Sequence, residues 1–565
     1  MRRPRLLHSD KDIDPDEIFL DDKNIPDFDV HQFEGRIESP IKQRTIITVG
    51  AVFLLIGVIL SWRAGVLEVT QGAFYKERSE RNRLNHQLLF PERGVIVDRN
   101  DIPLAWNVPS SEELGFSLRK YTDMPGFGNI LGFLHYPARD NKGVFYRNDY
   151  EADSGVEAYY NDVLKGKGGL RIIETDALGN IISSNVIDPP ISGEHMKLTI
   201  DSQLQTLFYQ TIGRIAREEN YLGGAGAIMD IDNGEILALV SFPTYDSNVM
   251  TEGEDRAQID EYNKDKGSPF LNRTIGGLFT PGSIVKPMFA IGALNEGNIT
   301  ADKEILSIGY ITVPNPYSPD KPSRFNDWKN HGLLDMRGAI AWSSDVYFYE
   351  ISGGFEGQKG LGIRNVEKYA RLFGYGSTTG IDLYGELAGT IPNPEWKKKN
   401  FPEDPTWRIG DTYFTGIGQY GVQATVLQAV KEASILASKG KVVRPHISED
   451  VVSAPTQLVI PKSYFTIAQE GMRKGVLEGT ANILNIPQVK IAAKTGTAEL
   501  GVSKARVNSW VIGFFPYDNP RYAFAVVMDR GVKGNTTNAS YAARELFRQM
   551  ASSTPSYFKS GTTTQ

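Results

Sequence analysis

No cysteine occurs among the 565 residues. That single absence excludes disulfides, thiolate metal sites and thiol nucleophiles. It also suits an oxidising compartment, where stray thiols cross-link. An excess of positive charge is missing as well. The net charge of -7 and a sequence pI near 5.7 argue against an electrostatic grip on nucleic acid. No internal repeat is present. What remains is the composition of a folded protein, 41% hydrophobic and 23% charged, too long for one ordinary core and therefore expected to form two or more domains.

Long apolar runs are scarce, with one exception. Thr45 to Trp62 reads TIITVGAVFLLIGVILSW and holds no charge. At about 1.5 Å per residue it spans roughly 27 Å, enough for the hydrocarbon core of a bilayer. A helix apolar on every face belongs in a large protein core or in lipid, and the polar flanks here offer no core. The long polar tail before it and the lack of a small-residue cleavage site after Trp62 argue against a signal peptide. An uncleaved, single-pass transmembrane helix over 45–62 is expected. Lys42 and Arg44 precede it while Arg63, Lys76, Arg78, Arg81 and Arg83 follow, so counting positive charge does not orient it. The chemistry of the C-terminal portion does: that portion is expected outside the cytoplasmic membrane, with the N-terminus inside.

Residues 1–44 read as a disordered cytoplasmic tail. Glu68 to Leu89 reads as a charged helix, followed by a strand over Val95–Val97 and a turn at Asp98–Asp101. The pattern stays mixed and glycine-rich to about Gly193, which suggests an α+β pedestal over 63–195. From Met196 the texture changes. Lys197 to Ile200 reads as a strand, and Asp201 as the N-cap of a helix over Gln203–Arg217. Asp232-Asn233-Gly234 between two apolar runs is a hairpin signal. A second hairpin runs from Ser509–Phe515 through Asp518-Asn519-Pro520 to Tyr522–Met528, and Val489–Ala493 reads as a strand ending at Lys494. A largely helical middle separates the two strand groups, so one sheet built from both ends with helices packed on it is the economical fold for 196–551. The polar stretch 552–565 reads as a disordered tail.

Three short motifs carry the chemistry. Ser283 and Lys286 lie in Pro281-Gly282-Ser283-Ile284-Val285-Lys286-Pro287. A Ser-x-x-Lys spacing alone says little, since about two chance matches are expected in such a chain, and Ser318 with Lys321 and Ser438 with Lys441 also fit. Context separates Ser283: a Pro-Gly turn precedes it and an apolar helix begins behind it. That puts Lys286 one turn on along the same face, with Pro287 in the tolerant first turn. A buried lysine near other positive charge sheds its proton and can serve as base for the hydroxyl. Ser343-Ser344-Asp345 comes second, and alone it reads equally as a helix N-cap. Lys494-Thr495-Gly496-Thr497 comes third. Its ammonium and hydroxyls suit a substrate carboxylate, and Gly496 would let a substrate approach the strand; alone it could also be an exposed strand end with a turn. In this order the three describe serine acyl transfer without histidine.

Taken together the motifs resemble class B penicillin-binding proteins, most closely the elongation type, over about residues 70–550. Supporting runs are Arg93-Gly94 with Asp98-Arg99-Asn100, Gly155-Val156-Glu157, Asn272-Arg273, Phe373-Gly374-Tyr375-Gly376, Thr379-Gly380-Ile381-Asp382-Leu383, Gly385-Glu386 and Gly416-Ile417-Gly418-Gln419. The resemblance implies a penicillin-binding transpeptidase fold, an antiparallel sheet flanked by helices, behind a transmembrane helix and a dimerisation-type pedestal. It implies a peptidoglycan D,D-transpeptidase acting on stem peptides and inhibited by β-lactams, without a cofactor. Ser283 is then the nucleophile, Lys286 its base and Ser343 a relay to Lys494. Asp345 completes the middle motif, Lys494, Thr495 and Thr497 hold the terminal carboxylate, and amides of Ser283 and Thr497 form the oxyanion hole. A polytopic membrane glycosyltransferase is the implied partner, reached through the membrane helix and pedestal. Two departures stand out: Asp345 replaces the usual asparagine, which favours the elongation branch, and Tyr420-Gly421 follows Gln419. Some relatives carry a metal near the middle motif. Asp327, His331 and Asp335 occupy that stretch here, but without a cysteine the expectation is a structural His331 and no metal. A β-lactamase or antibiotic sensor would not need the pedestal. A septal transpeptidase, and a non-catalytic scaffold regulating a polymerase, remain the alternatives.

Overall fold

A computed structural model describes residues 43–76, 84–111, 114–141, 144–175, 180–315, 318, 320–501 and 504–558. The expected tail over 1–44 therefore falls almost wholly outside the described residues. Two compact units are distinguished, one comprising residues up to Asn85 with Ile173–Ser183, the other His86–Ile172 with Ser184 onward. In the first unit, helix α1 (Gln43–Gly65) is exposed along its whole length. With the turn that continues it to Thr70, it is the one described helix long and apolar enough to cross a membrane. The charged helix expected over Glu68–Leu89 is broken. Val66–Thr70 is a π turn, residues 72–76 are helical, and Leu84–Leu89 is a strand. Its sheet partners lie at Gly169–Thr175 and Ile181–Asp188, too far along the chain for local periodicity to reveal.

The second unit begins with a four-stranded sheet of β1 (Ile96–Val97), β2 (Pro103–Val108), β3 (Leu118–Tyr121) and β4 (Met196–Lys197), in the order β4-β1-β2-β3. Met196 pairs with Ile96 in parallel, so the strand placed after the pedestal boundary at 195 completes the pedestal's own sheet. Behind it Arg93 and Arg119 converge on Glu157, with Nε–Oε distances of 2.6 and 2.7 Å, and all three side chains are buried. Burial alone would raise the Glu157 pKa. The guanidiniums of Arg119 and Arg93 outweigh it and hold the carboxyl below its ordinary range.

The turn at Asp98 fastens this sheet to the body. One carboxylate oxygen accepts the amides of Asn100 and Ile102; the other accepts the amide and hydroxyl of Ser202, the first residue of α2 (Ser202–Glu218). Asp201 caps that helix as expected, accepting Leu204 N–H at 3.0 Å. Tyr160 of the pedestal donates to Asp382 at 2.6 Å, and Asp382 also accepts the amides of Ile447 and Ser448.

The body is one five-stranded antiparallel sheet of β5 (Gly223–Asp230), β6 (Ile236–Phe242), β7 (Ala492–Leu500), β8 (Arg506–Phe515) and β9 (Tyr522–Val532), in the order β6-β5-β9-β8-β7. Strands from both ends of the region do form one sheet. Period-two alternation explains its two cores. Phe524, Val526 and Met528 face a cluster with Phe208, Ile212, Leu546 and Phe547. Ala523, Ala525 and Val527 face the larger cluster, where Val426–Ala437 packs against β5, β8 and β9. The stretch expected to be a disordered tail starts differently: Pro555–Phe558 forms a 3₁₀ turn, and buried Tyr557 donates to Asp201 at 2.7 Å. A polar composition hid an aromatic anchor there. Residues 559–565 are outside the described residues.

Truncating Glu157 would leave two buried guanidiniums without a counter-charge. Glu157→Ala is expected to destabilise the pedestal by about 3–5 kcal/mol, read as a lower urea midpoint; a loss below about 1 kcal/mol would show the cluster to be dispensable.

Candidate active site

Ser283 sits in a single 3₁₀ turn, Gly282–Val285, which leads into α3 (Lys286–Asn295). The α-helix thus starts at Lys286 rather than at the serine. Three residues per 3₁₀ turn still put Ser283 and Lys286 on one face. The turn is wedged between two backbones. Gly282 (φ +59°) donates its amide to Gly418 O at 3.0 Å, and a Cβ there would stand 2.9 Å from Thr497 O. Gly496 faces the same turn from β7: a Cβ on it would meet Pro281 O at 2.7 Å and the Ile284 side chain at 3.0 Å. Gly496 therefore lets the strand lie against the Ser283 turn, a reason beside the substrate approach expected of it. Trp510 closes the turn from β8 by donating its indole N–H to Thr280 O at 3.0 Å. None of the described residues hydrogen-bonds the Ser283 hydroxyl.

The middle motif satisfies both readings of it. Ser343 ends α4 (Met336–Trp342) in the left-handed region at φ +57°. Ser344 is the N-cap of α5 (Asp345–Gly353), accepting Tyr347 N–H at 3.3 Å. Ser343 and Asp345 then turn into the site. Lys286 is fully buried, and its Nζ donates to Asp345 Oδ1 at 2.6 Å, Ser343 O at 2.8 Å and Ser343 Oγ at 3.3 Å. Lys494 lies third in β7 rather than at a strand end, and its Nζ reaches Ser343 Oγ at 2.8 Å and Thr495 O at 2.8 Å. Burial pushes the Lys494 ammonium far below its ordinary pKa, and the charge of Lys286 pushes it further, against the pull of Asp345.

Ser283, Ser343, Asp345, Thr495, Gly496 and Thr497 line one cleft of about 400 Å³. Lys494 is buried, with its ammonium on the cleft-lining Ser343, while Thr495 and Thr497 line the cleft themselves. Thr495 is oriented by its bond to the Thr480 hydroxyl at 2.8 Å. The motifs missed Trp328, Thr480, Ser509, Trp510, Asn538 and Ser540, which complete the lining. Of these, Asn538 had a readable signal as the N-cap of a C-terminal helix, Ala539–Ser553. The rest are scattered and carried none. Two of the other Ser-x-x-Lys matches are surface features: the Lys321 amide bonds Ser318 O in a turn, and Lys441 pairs with Asp232. Asp335 is used as the cap of α4 through Gly338 N–H, and among the described residues no three His, Asp or Glu side chains gather to hold a metal.

Histidine-free serine acyl transfer is the class of chemistry this arrangement serves. Residues 224–552 match the penicillin binding protein transpeptidase domain, and residues 116–198 the penicillin-binding protein dimerisation domain. The chain is 29% identical over 515 residues to the peptidoglycan D,D-transpeptidase MrdA of Haemophilus influenzae, covering 84% of this chain and 75% of that one. It is 28% identical over 605 residues to MrdA of Escherichia coli K12, covering 87% and 92%. Among solved structures, Pseudomonas aeruginosa PBP2 in complex with WCK 5153 superposes with a TM-score of 0.70 at 27% identity, over 84% of this chain and 99% of that one. Helicobacter pylori PBP2 in complex with MreC gives 0.69 at 25%, over 83% and 99%. The chain belongs to the penicillin-binding protein transpeptidase family, as a class B protein of the PBP2 type.

Two outcomes test the site's geometry. In Gly496→Ala the new methyl pushes on the Ser283 turn, and acylation by a fluorescent penicillin is expected to slow about 10- to 100-fold while circular dichroism stays unchanged. Lys494→Met is expected to abolish acylation yet raise the thermal midpoint at neutral pH. The unfolded lysine holds its proton up to its ordinary 10.5, whereas the folded one sheds it earlier. Folding at neutral pH is opposed by that loss, so the gain should shrink as pH rises toward 10.5. A gain that grows with pH would contradict the assignment.

Proposed function

We propose that this chain is a peptidoglycan D,D-transpeptidase that cross-links stem peptides through an acyl-enzyme on Ser283 during cell elongation. The observation that carries the reading is Ser343 Oγ, placed between the Nζ atoms of two buried lysines beside the nucleophile's turn. Ser283 Oγ attacks the carbonyl carbon of the D-Ala-D-Ala bond, and its proton enters the lysine pair. Lys286, already bonded to three acceptors, takes that proton after passing one through Ser343 Oγ to Lys494, whose depressed pKa suits it as acceptor. The C–N bond then breaks and D-alanine leaves with a proton returned by the pair. An amine of a neighbouring stem peptide attacks the ester carbonyl, forming the new amide and restoring the Ser283 hydroxyl.

The terminal carboxylate of the donor would meet Thr495 and Thr497, and the oxyanion the amides of Ser283 and Thr497. β7 is the edge strand of its sheet, and an extended peptide fits such an edge by adding to it. β-Lactams would acylate the same serine. The candidate span Gln43–Thr70 would anchor the chain with its N-terminus inside and the catalytic body outside, where the lipid-linked glycan is met. A polytopic membrane glycosyltransferase would supply the polymer, contacted through that helix and the pedestal. Asp345 favours elongation over division.

Labelling with a fluorescent penicillin is expected to mark the wild type for well beyond minutes and to leave Ser283→Ala unmarked. Equal labelling of both, or of neither, would remove the assignment, and a label lost within seconds would favour a β-lactamase.

A further inference from the structure

Against the middle motif lies a buried carboxylate that the transpeptidase reading leaves unused. Asp327 follows the strand Ser323–Asn326, which pairs with Tyr310–Val313. Its own amide donates to Gly309 O at 2.8 Å, and its side chain has no exposed surface. Oδ2 accepts the Ser344 hydroxyl at 2.7 Å, the Val346 amide at 3.1 Å and the Ser307 hydroxyl at 3.1 Å. Oδ1 accepts the Trp328 amide at 2.8 Å, with His331 Nε2 at 3.4 Å. Burial would raise the Asp327 pKa, but the amides of Asp345 and Val346 and the Ser344 hydroxyl outweigh it and keep the carboxyl ionised.

These contacts bear on the one strained residue of the motif. Ser343 is not glycine, yet it is held at φ +57°, a region that costs of order 1–3 kcal/mol and persists only where its surroundings enforce it. In that conformation its carbonyl faces Lys286 and its hydroxyl faces both lysines. The lysines hold the turn through the carbonyl and hydroxyl of Ser343. Asp327 holds the next residues, Ser344 and Val346. Ser344 already caps α5 through Tyr347 N–H, so the bonds from Asp327 are additional to an ordinary cap. Their effect is to fix where the turn sits.

We propose that Asp327 is a positioning residue for acylation: seated against Ser343-Ser344-Asp345, it holds that turn in the conformation that presents Ser343 Oγ to Lys286 and Lys494 together. The proposal rests on the transpeptidase reading and names a residue that touches neither substrate nor lysine. A displacement near 1 Å in such a relay slows reaction about 100-fold, so a change at Asp327 should act on the chemical step and not on ligand binding.

The test is stopped-flow acylation of the full-length, detergent-solubilised protein by a fluorescent penicillin, resolving the first-order acylation constant from the dissociation constant of the preceding complex. Asp327→Ala is expected to lower the first-order constant about 10- to 100-fold, with the dissociation constant within about threefold of wild type. Asp327→Asn keeps an oxygen for Ser344 and Val346 and should recover most of that loss. A first-order constant within about twofold of wild type in Asp327→Ala, a loss carried wholly by the dissociation constant, or an Asn variant no faster than Ala overturns the proposal. If Asp327→Ala does not fold, Ser344→Gly decides. Glycine at an N-cap costs only a few tenths of a kcal/mol but removes the hydroxyl that Asp327 holds. A drop of about fivefold or more in its first-order constant supports the proposal, and a smaller change overturns it. Ser283→Ala in the same assay keeps the two readings apart. If it labels like the wild type, the nucleophile assignment falls and this proposal with it, whereas a failure confined to Asp327 and Ser344 leaves the transpeptidase standing.

Discussion

Two lysine side-chain nitrogens and one carboxylate share the space around a single serine hydroxyl, and the site depends on that imbalance. Lys286 has a counter-ion in Asp345; among the described residues, buried Lys494 bonds only the Ser343 hydroxyl and a backbone carbonyl. Keeping both lysines charged in a dry environment would be costly, so the charge of one suppresses the proton of the other. Burial and like-charge repulsion together hold the Lys494 ammonium well below its ordinary pKa, against the pull of Asp345.

The arrangement requires close backbone approach as much as charge. Pro281 O lies within reach of a Cβ on Gly496, Thr497 O within reach of one on Gly282, and Gly282 O within reach of one on Gly418. Three backbones meet there with no side chains between them. Since Gly282 precedes Ser283 and Gly496 lies two residues after Lys494, the two motifs are positioned by direct contact. The Tyr420-Gly421 departure is accommodated nearby: Tyr420 adopts φ +57° and packs its ring among Trp396, Phe401 and Trp407.

Much of this could be read from the chain. Asn-Gly between apolar runs marked the first hairpin, Asp201 marked its helix, and Ser283, Lys286, Ser343 and Lys494 lie together. The parts that were hidden share a cause: they depend on partners distant in sequence. Leu84–Leu89 looks helical until its sheet neighbours are known. Tyr557 sits in a polar stretch, and only Asp201 gives it a reason to be ordered. Asp327 reads as a possible metal ligand from sequence because its partners, Ser344 and Val346, lie on another element.

The strand order β6-β5-β9-β8-β7 puts Tyr522–Val532 in the middle, between the first hairpin and the strands that precede it in the chain. During synthesis the early hairpin and α2 therefore have no lasting place to bury their apolar faces until nearly the whole polypeptide has emerged. Non-local pairing of this kind is slow to form. The nascent body has to stay soluble while incomplete, which places a demand on the cell's holding factors that the finished enzyme no longer reveals.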